Sequence, residues 1–236
     1  MTGIREETGR RERVVAIVQA RLGSSRLPLK SLLCLRGKPL IDWVVDRVGQ
    51  CRSLCGLVVA IPDTPLDQVL EEHLRRRGIN CFKGPENDVL KRFVLAAGHA
   101  GADAVLRICA DNPLVSPEAL DALVGFYLSG RCDYAWNHIP RGNLWPDGLG
   151  GEIVSAALLR QLDREARLPA QREHCFNYIW DNPEKFRMAT FDPAQQWLRR
   201  PEVRLDIDCA EDFRRLALLP LEPDMTLECL MSVIPS

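Results

Sequence analysis

The 236-residue chain carries 31 Lys and Arg against 32 Asp and Glu, a formal net charge of −1, and 46% of its residues are hydrophobic. This balance gives no support for a nucleic-acid-binding surface, and no apolar run approaches the roughly 18 residues of a membrane span. The length suffices for one large α/β domain or two small ones. We therefore expect a soluble globular protein with neither nucleic acid nor membrane as a partner.

The polar, charged N-terminus predicts a disordered leader at residues 1–12, because a secretory signal would need an apolar core. The nine cysteines are scattered, with no C-x-x-C pair and no histidines at zinc-binding spacing. An odd number of cysteines without an export signal is typical of reduced thiols, so we expect a cytoplasmic protein.

The first half of the chain alternates short apolar runs with apolar residues at helical spacing. The runs predict strands at residues 14–18, 57–61, 80–82 and 104–109. The helical patterns predict helices at about 39–50 and 65–77, one from residue 87, and one that begins at Ser116 and Pro117. Repeated strand–helix units predict right-handed crossovers and a mainly parallel sheet.

The second half has more Pro and Gly and a less regular pattern. It predicts strands at 133–137, 152–154 and 203–207, a helix around 171–180 and another from about residue 210. We predict a single domain over residues 13–220, with an inserted loop and β arm at about 133–154. A C-terminal tail would follow at 221–236.

The loop after the first strand, residues 20–30, is the most informative segment, and we call it the cationic loop. It holds three cations, Arg21, Arg26 and Lys30, and three small residues, Gly23, Ser24 and Ser25. Such a loop leaves backbone N–H groups free to bind an anion, and three cations suit a polyphosphate. It is not a Walker A loop, since Leu29 rather than Gly precedes Lys30. The alternative is an ordinary turn with solvated arginines.

Acidic residues follow two of the predicted strands. Asp111 lies just past the strand at 104–109, and Asp206 and Asp208 end the one at 203–207. Ligands bind at the carboxyl ends of parallel strands, and Mg²⁺ in phosphoryl chemistry takes one or two carboxylates. These positions favour a metal site at Asp111 and Asp208, although each acid singly fits a turn or a helix cap.

Three segments resemble the cytidylyltransferases that activate sugar acids as CMP conjugates, and among them the SpsF-like spore coat polysaccharide branch. They run from Gln19 to Lys30, from Arg107 to Val115 and from Leu205 to Phe213. Two shorter stretches, 146–149 and 172–174, are typical of that branch. The resemblance covers about residues 13–218. It implies an α/β, Rossmann-like, mixed and mainly parallel sheet flanked by helices, of the nucleotide-diphospho-sugar transferase type, commonly as a homodimer.

The resemblance implies a role for each matching position. The triphosphate of CTP would be held by Arg21, Ser24, Arg26 and Lys30, with backbone N–H groups of Ala20, Gly23 and Ser25. Mg²⁺ would be bound by Asp111 and Asp208. The base and ribose would lie against Ala60, Pro62, Gly84, Glu86 and Asp88. The branch-typical stretches add Asp147, Arg172 and His174 as substrate-binding positions.

The sequence leaves open which residues bind the acceptor and which one takes its proton. His174 is a candidate proton acceptor, although an orienting or solvated histidine fits equally well. An acidic acceptor needs its own cation, for which Arg172, Arg141 and Arg107 are candidates. Tyr134 and Trp136 fit either stacking on a sugar or packing at an interface.

The predicted reaction is transfer of CMP from CTP to an anionic acceptor with release of pyrophosphate. The alternatives are transfer of another nucleotide, a nucleotide-sugar glycosyltransferase, and a catalytically silent nucleotide-binding protein. Two departures from the family pattern bear on them. Leu29 stands where Gly is usual, and Gly150 and Gly151 stand where the branch has Asp and an apolar residue.

Overall fold

The structure, a computed structural model, describes residues 12–235. The predicted leader at 1–12 therefore lies, except for Glu12, outside the described residues. No helix of the described segment is long and apolar enough to cross a membrane.

A seven-stranded mixed sheet forms the centre of the molecule. The strands in chain order are β1 (Val14–Gln19), β2 (Cys34–Leu35), β3 (Lys38–Pro39), β4 (Gly56–Pro62), β5 (Cys81–Gly84), β6 (Ala104–Cys109), β7 (Tyr134–Trp136), β8 (Glu152–Ser155) and β9 (Met188–Ala189). Strands β2 and β3 form a separate hairpin, and the main sheet has the order β5-β4-β1-β6-β8-β7-β9. Strand β8 is antiparallel to β6 and β7, and the other neighbouring pairs are parallel.

Helices cover both faces of this sheet. They are α1 (Leu40–Val48), α2 (Gln68–Arg76), α3 (Val89–His99), α4 (Pro117–Leu128), α5 (Ala156–Glu165), α6 (Pro169–Glu173), α7 (Asn177–Asp181), α8 (Ala210–Ala217) and α9 (Leu227–Val233). Helix α4 begins as predicted, with the Ser116 hydroxyl accepting from the Ala119 N–H at 3.1 Å and Pro117 in the first turn.

Alternating residues of β1 and β6 supply the two halves of the core. Val14, Ala16 and Val18 pack on one face with α1, α2 and α4, while Ile17 packs on the other with α3 and α5. Successive strand residues point to opposite faces, so strands apolar at every position are buried on both sides. This confirms the predicted mixed, mainly parallel sheet flanked by helices.

The part of the chain that follows β9 packs against the β2–β3 hairpin and α1. It forms a third cluster of buried apolar side chains there, beside the two clusters on the faces of the sheet. The members of this cluster include Leu205, Ile207, Leu216, Leu230 and Met231. The segment 221–235 thus contains helix α9, whose apolar residues are buried in the domain.

Three predicted elements differ in the structure. The arm segment 133–154 places both its strands, β7 and β8, within the main sheet. The helix expected at 171–180 is two short helices, because residues 174–176 turn inward and bury Cys175 and Phe176. The strand expected at 203–207 is an extended segment with a single bridge between Asp147 and Arg204, since it crosses the strand ends.

Helix α5 was not predicted. Its clearest signal in the sequence was the N-cap Ser155, whose hydroxyl accepts from the Leu158 N–H.

Candidate active site

A cavity of about 740 Å³ opens at the carboxyl ends of β1 and β6. Its wall combines the cationic loop, the turn after β6, the loop between β7 and β8, the junction of α6 and α7, and the segment that precedes α8. Parallel strands end together at one edge, so segments distant in sequence meet there. This is the position at which open α/β sheets bind ligands.

The cationic loop is folded by its own backbone and by one buried acid. The Leu22 N–H donates to Asp67 Oδ1 at 2.8 Å, and the Leu29 N–H donates to the Leu22 carbonyl at 3.1 Å. Asp67 also accepts from the Thr64 hydroxyl at 2.6 Å. Sequence analysis missed this anchor, although Thr64 and Asp67 have the three-residue spacing of a local side-chain hydrogen bond.

Lys30 brings the two predicted metal ligands together. Its Nζ lies 3.0 Å from Asp111 Oδ2, 3.7 Å from Asp208 Oδ1 and 2.7 Å from the Ile207 carbonyl. Arg26 forms a two-pronged ion pair with Asp208, at 3.0 and 3.2 Å. The cationic loop and both acids therefore form one ionic cluster, although they lie about 80 and 180 residues apart in sequence.

The extended segment before α8 is held where it can present Asp208. The Ile207 N–H donates to the Asp111 carbonyl at 2.8 Å, and the Leu205 N–H donates to the Asp147 carbonyl at 2.9 Å. Gly148 has φ +91°, and a Cβ there would lie 2.9 Å from the Asp206 nitrogen. The branch-typical stretch 146–149 thus supports the second acid through its backbone.

The acid pair fits a hard divalent cation that shares its coordination with phosphate. Asp111 and Asp208 approach the same ammonium, so both reach one point in the cavity. Mg²⁺ takes one or two carboxylates together with water and substrate phosphates. Within residues 12–235, no group of three or more Asp, Glu, His or Cys side chains forms a metal site by itself. An ion held by this pair could take its remaining ligands from water and phosphate oxygens.

A buried ionic network lies under the same cavity. Glu152 is 5% exposed and lies 2.6 Å from Arg107 Nη1 and 2.9 Å from His138 Nε2, while the Tyr134 hydroxyl donates to it at 3.1 Å. Burial alone would raise the pKa of Glu152, but His138, Arg107 and their hydrogen bonds hold it well below its usual range. Arg107 is thus neutralised within the protein, and Tyr134 is buried rather than available to a sugar.

Asp147 is a half-buried acid of the cavity wall. Burial, followed by the negative charge of Asp206, raises the pKa of Asp147 to about 6. Arg204 counters this only weakly at 4.0 Å, because it pairs at 2.8 Å with Asp206. His174 also lines the cavity, where α6 ends.

The residues expected to contact the base and ribose lie beside the cavity rather than in its wall. Ala60 is buried in β4, where its carbonyl accepts from the Ala20 N–H at 3.3 Å, and Pro62 pairs with Gly84 across β4 and β5. Arg92, which is fully buried, donates to the Glu86 carbonyl at 3.2 Å and thereby holds the turn after β5. Sequence analysis did not select Arg92.

Asp88 and Arg172 form an ion pair outside the cavity. Asp88 caps α3 by accepting from the Lys91 N–H at 2.9 Å. One Nη of Arg172 lies 2.5 Å from Asp88 and 2.7 Å from Asp163. The charge of Arg172 is therefore matched by two carboxylates that lie outside the cavity wall.

The structure shows the backbone at both positions where the sequence departs from the expected pattern. Leu29, where the resemblance implies glycine, has φ +58°, a left-handed conformation that glycine adopts without strain. At Gly150 a Cβ would overlap the side-chain and carbonyl oxygens of Asn137. At Gly151 it would lie 2.9 Å from the Arg107 carbonyl. Both glycines therefore allow a close approach of neighbouring atoms, which would have to shift to admit a side chain at either position.

The sequence profile of a family described as cytidylyltransferase matches residues 15–223. The chain belongs to the cytidylyltransferase family. It is similar to the spore coat polysaccharide biosynthesis protein SpsF of Bacillus subtilis, with 36% identity over 87% of this chain and 85% of that protein. A 3-deoxy-manno-octulosonate cytidylyltransferase of Anaeromyxobacter dehalogenans is 34% identical over 50% of this chain and 48% of its own.

A solved structure of a cytidylyltransferase from Leptospira borgpetersenii has the same fold. It superposes with a TM-score of 0.85 at 30% identity and covers 95% of this chain and 94% of its own. The comparison confirms the Rossmann-like architecture predicted for this chain, and the family assignment makes it a nucleotidyltransferase.

Proposed function

We propose that this cytidylyltransferase transfers CMP from CTP to an anionic sugar or related acid, releasing pyrophosphate with the help of Mg²⁺. The product would be an activated precursor of a surface polysaccharide or glycoconjugate, made in the cytoplasm by a homodimer. The observation that carries the proposal is the convergence of Lys30, Asp111 and Asp208 beside the cationic loop. Its support from relatives is the similarity to SpsF and to a sugar-acid cytidylyltransferase.

The residues of the cavity act chiefly by binding and by charge. Arg21, Arg26 and Lys30 exchange their carboxylate partners for the phosphates of CTP, which frees Asp111 and Asp208 for the metal ion. Bound Mg²⁺ supplies neutralisation of phosphate charge. An acceptor oxygen forms a bond to the α-phosphorus while the bond to the β-phosphate oxygen breaks, so catalysis rests on positioning and electrostatics.

The acceptor hydroxyl must lose a proton in this step. His174 and Asp147 line the cavity, and either side chain can accept that proton when it is unprotonated. The pKa of Asp147 is raised to about 6, so its carboxylate is a stronger base than an ordinary aspartate.

The first test needs no acceptor, because a ligand that binds the folded protein raises its unfolding temperature. Thermal shifts with CTP, UTP, GTP and ATP, each with and without Mg²⁺, should be largest for CTP with Mg²⁺. Asp111→Asn and Asp208→Asn should remove the Mg²⁺ contribution. Asp46→Asn is the matched control, since Asp46 is also ion-paired, at 2.7 Å from Lys38, but lies outside the cavity.

The second test measures turnover with CTP against eight- and nine-carbon sugar acids, a neutral sugar and a phosphonate. Pyrophosphate release is expected, whereas a glycosyltransferase would release a nucleoside diphosphate. A stronger shift with another nucleotide would contradict the assignment of CTP. Tight binding of CTP and Mg²⁺ without turnover of any acceptor would instead favour a silent nucleotide-binding protein.

A further inference from the structure

The side-chain amide of Gln19 is an uncharged polar group in the wall of the cavity. Gln19 is the last residue of β1, and its side chain lies on the same sheet face as that of Ile17, because successive strand residues alternate between faces. On β6 the same face carries Val105 and then Arg107, which is in register with Ile17. This face therefore changes from apolar to polar where the two strands reach the cavity.

Arg107 fixes the orientation of the Gln19 amide. Its Nε and Nη2 both donate to Gln19 Oε1, at 3.2 and 3.1 Å. A guanidinium only donates hydrogen bonds, so the amide atom that faces it is the oxygen and the atom on the other side is Nε2. Among the described residues, Gln19 Nε2 donates to no acceptor. The amide thus offers a free N–H group on the side away from Arg107.

Arg107 is itself held by buried partners. Its Nη1 donates to Glu152 Oε2 at 2.6 Å, and its guanidinium carbon lies 6.0 Å from the centre of the Phe176 ring. Only 13% of the Arg107 side chain is exposed. A donor that is fixed in this way needs little reorganisation when charge develops in front of it. Glu152 and Arg107 therefore hold Gln19 Nε2 in place before any substrate binds.

Gln19 lies between the two parts of the site that would bind the nucleotide. It directly precedes the cationic loop, whose cations suit a triphosphate. Its carbonyl accepts from the Ala110 N–H at 3.0 Å, which places Gln19 beside the turn that carries Asp111. The α-phosphate of a bound CTP must lie near both features, because it is linked to the phosphates at the loop and reacts beside the metal ion.

We propose that Gln19 Nε2 donates a hydrogen bond to a non-bridging oxygen of the α-phosphate and stabilises the charge on it during CMP transfer. The inference rests on the proposed function and adds a catalytic residue to it. As the acceptor oxygen bonds to the α-phosphorus, the bond to the β-phosphate oxygen breaks and pyrophosphate leaves with that electron pair. The proton of the acceptor passes to the base, and Gln19 keeps its own protons. Glu152 and Arg107 act as positioning residues.

Two substitutions separate a donor from a structural residue. Gln19→Glu keeps an oxygen that faces Arg107 but replaces the N–H group by a second oxygen, whereas Gln19→Met removes both polar atoms at similar length. Loss of the donor should lower kcat about 100-fold in both variants. A purely structural role would instead leave Gln19→Glu active and impair only Gln19→Met. Gln68→Glu is the control, since it makes the same change at an exposed position at the start of α2.

Sulphur substitution in the nucleotide identifies the oxygen that Gln19 contacts. The α-thio analogue of CTP has two diastereomers, each with one non-bridging α-oxygen replaced by sulphur, which accepts hydrogen bonds weakly. Wild type should react more slowly with the diastereomer whose sulphur faces Gln19. In Gln19→Met the ratio of the two rates should change by about tenfold, the value of one hydrogen bond. A contact between Mg²⁺ and either oxygen affects both enzymes alike, so an unchanged ratio would overturn the proposal.

The remaining outcomes are distinguished by the Michaelis constants and by thermal shift. The acceptor KM should stay at its wild-type value in Gln19→Met, and the shift with CTP and Mg²⁺ should be retained, because the contact acts mainly in the transition state. A raised acceptor KM with unchanged kcat would place the amide on the acceptor and overturn the proposal. Gln19→Glu, which keeps the partner of Arg107, provides the kcat measurement if Gln19→Met does not fold. Absence of a CTP shift in wild type would instead refute the proposed function.

Discussion

Lys30 Nζ lies 3.0 Å from Asp111 Oδ2 and 3.7 Å from Asp208 Oδ1, so one ammonium is the shared ion-pair partner of both acids of the candidate metal site. The cation expected to bind phosphate and the acids expected to bind metal are therefore partners of each other. A triphosphate that binds Lys30 releases the acids, and a divalent cation that binds the acids releases Lys30. Nucleotide and metal should consequently bind with positive cooperativity.

Lys30→Gln separates these two effects. The variant should bind CTP more weakly, by about tenfold or more, because a charge-assisted contact is lost. It should bind Mn²⁺ alone more tightly than wild type, since Asp111 loses its paired cation and Asp208 keeps only Arg26. Titration of Mn²⁺ followed by electron paramagnetic resonance measures the second effect. Lys38→Gln, which removes a lysine paired with Asp46 on the surface, should change neither affinity. An unchanged affinity for Mn²⁺ in Lys30→Gln would show that the ion pair does not control the acids.

A substitution at Gly148 tests whether its close backbone contact supports the segment that carries Asp208. Gly148→Ala combines a positive φ with a Cβ 2.9 Å from the Asp206 nitrogen. Gly130→Ala has a positive φ of +76° but no atom within 4 Å of the added Cβ. The control should lose about 1 kcal/mol of unfolding free energy from backbone strain alone. Gly148→Ala should lose more and should also lower kcat, because the segment carrying Asp208 must move. Equal losses in the two variants, measured by urea denaturation, would argue against this support.

Asp147 predicts a particular dependence of stability on pH. Its pKa is raised from 3.8 to about 6, first by burial and then by Asp206. Between these values the folded protein keeps a proton that the unfolded chain has lost, so its contribution to stability falls as pH rises through this window. Asp147→Asn should therefore be more stable than wild type at pH 8, and the difference should disappear below about pH 4.

Thermal unfolding of wild type and Asp147→Asn across pH 3.5 to 8 measures this difference. The control is Asp63→Asn, whose carboxylate is 68% exposed and should give a curve parallel to wild type. A constant difference between Asp147→Asn and wild type at every pH would mean that the effect comes from packing rather than ionisation.

Glu152 tests the buried network under the cavity. Glu152→Gln leaves Arg107 buried with its principal counter-charge removed, which should cost about 3–5 kcal/mol of unfolding free energy. Glu202→Gln breaks an ion pair at 3.1 Å whose acid is 61% exposed, and should cost at most about 1 kcal/mol. Chemical denaturation of both variants checks the contrast. Losses of similar size would show that Glu152 is not a structural counter-ion.

The sequence by itself determined the sheet and the character of the site. Strands apolar at every position and helices with one apolar face specify a parallel sheet covered on both sides, since burial on two faces requires that pattern. The cationic loop could be predicted because small residues and cations lie close together in the sequence. Asp111 and Asp208 could be predicted because each follows the end of an expected strand.

Only the tertiary structure decided which charges pair and which stay available. Arg172 and Arg107 looked equivalent to Arg141 in the sequence, but Asp88, Asp163 and Glu152 neutralise the first two from other parts of the fold. The extended form of residues 203–207 likewise depends on hydrogen bonds to Asp111 and Asp147, not on local propensity. The physical reason is the same in each instance: ion pairs and close backbone contacts depend on distances in space, which the order of residues along the chain does not contain.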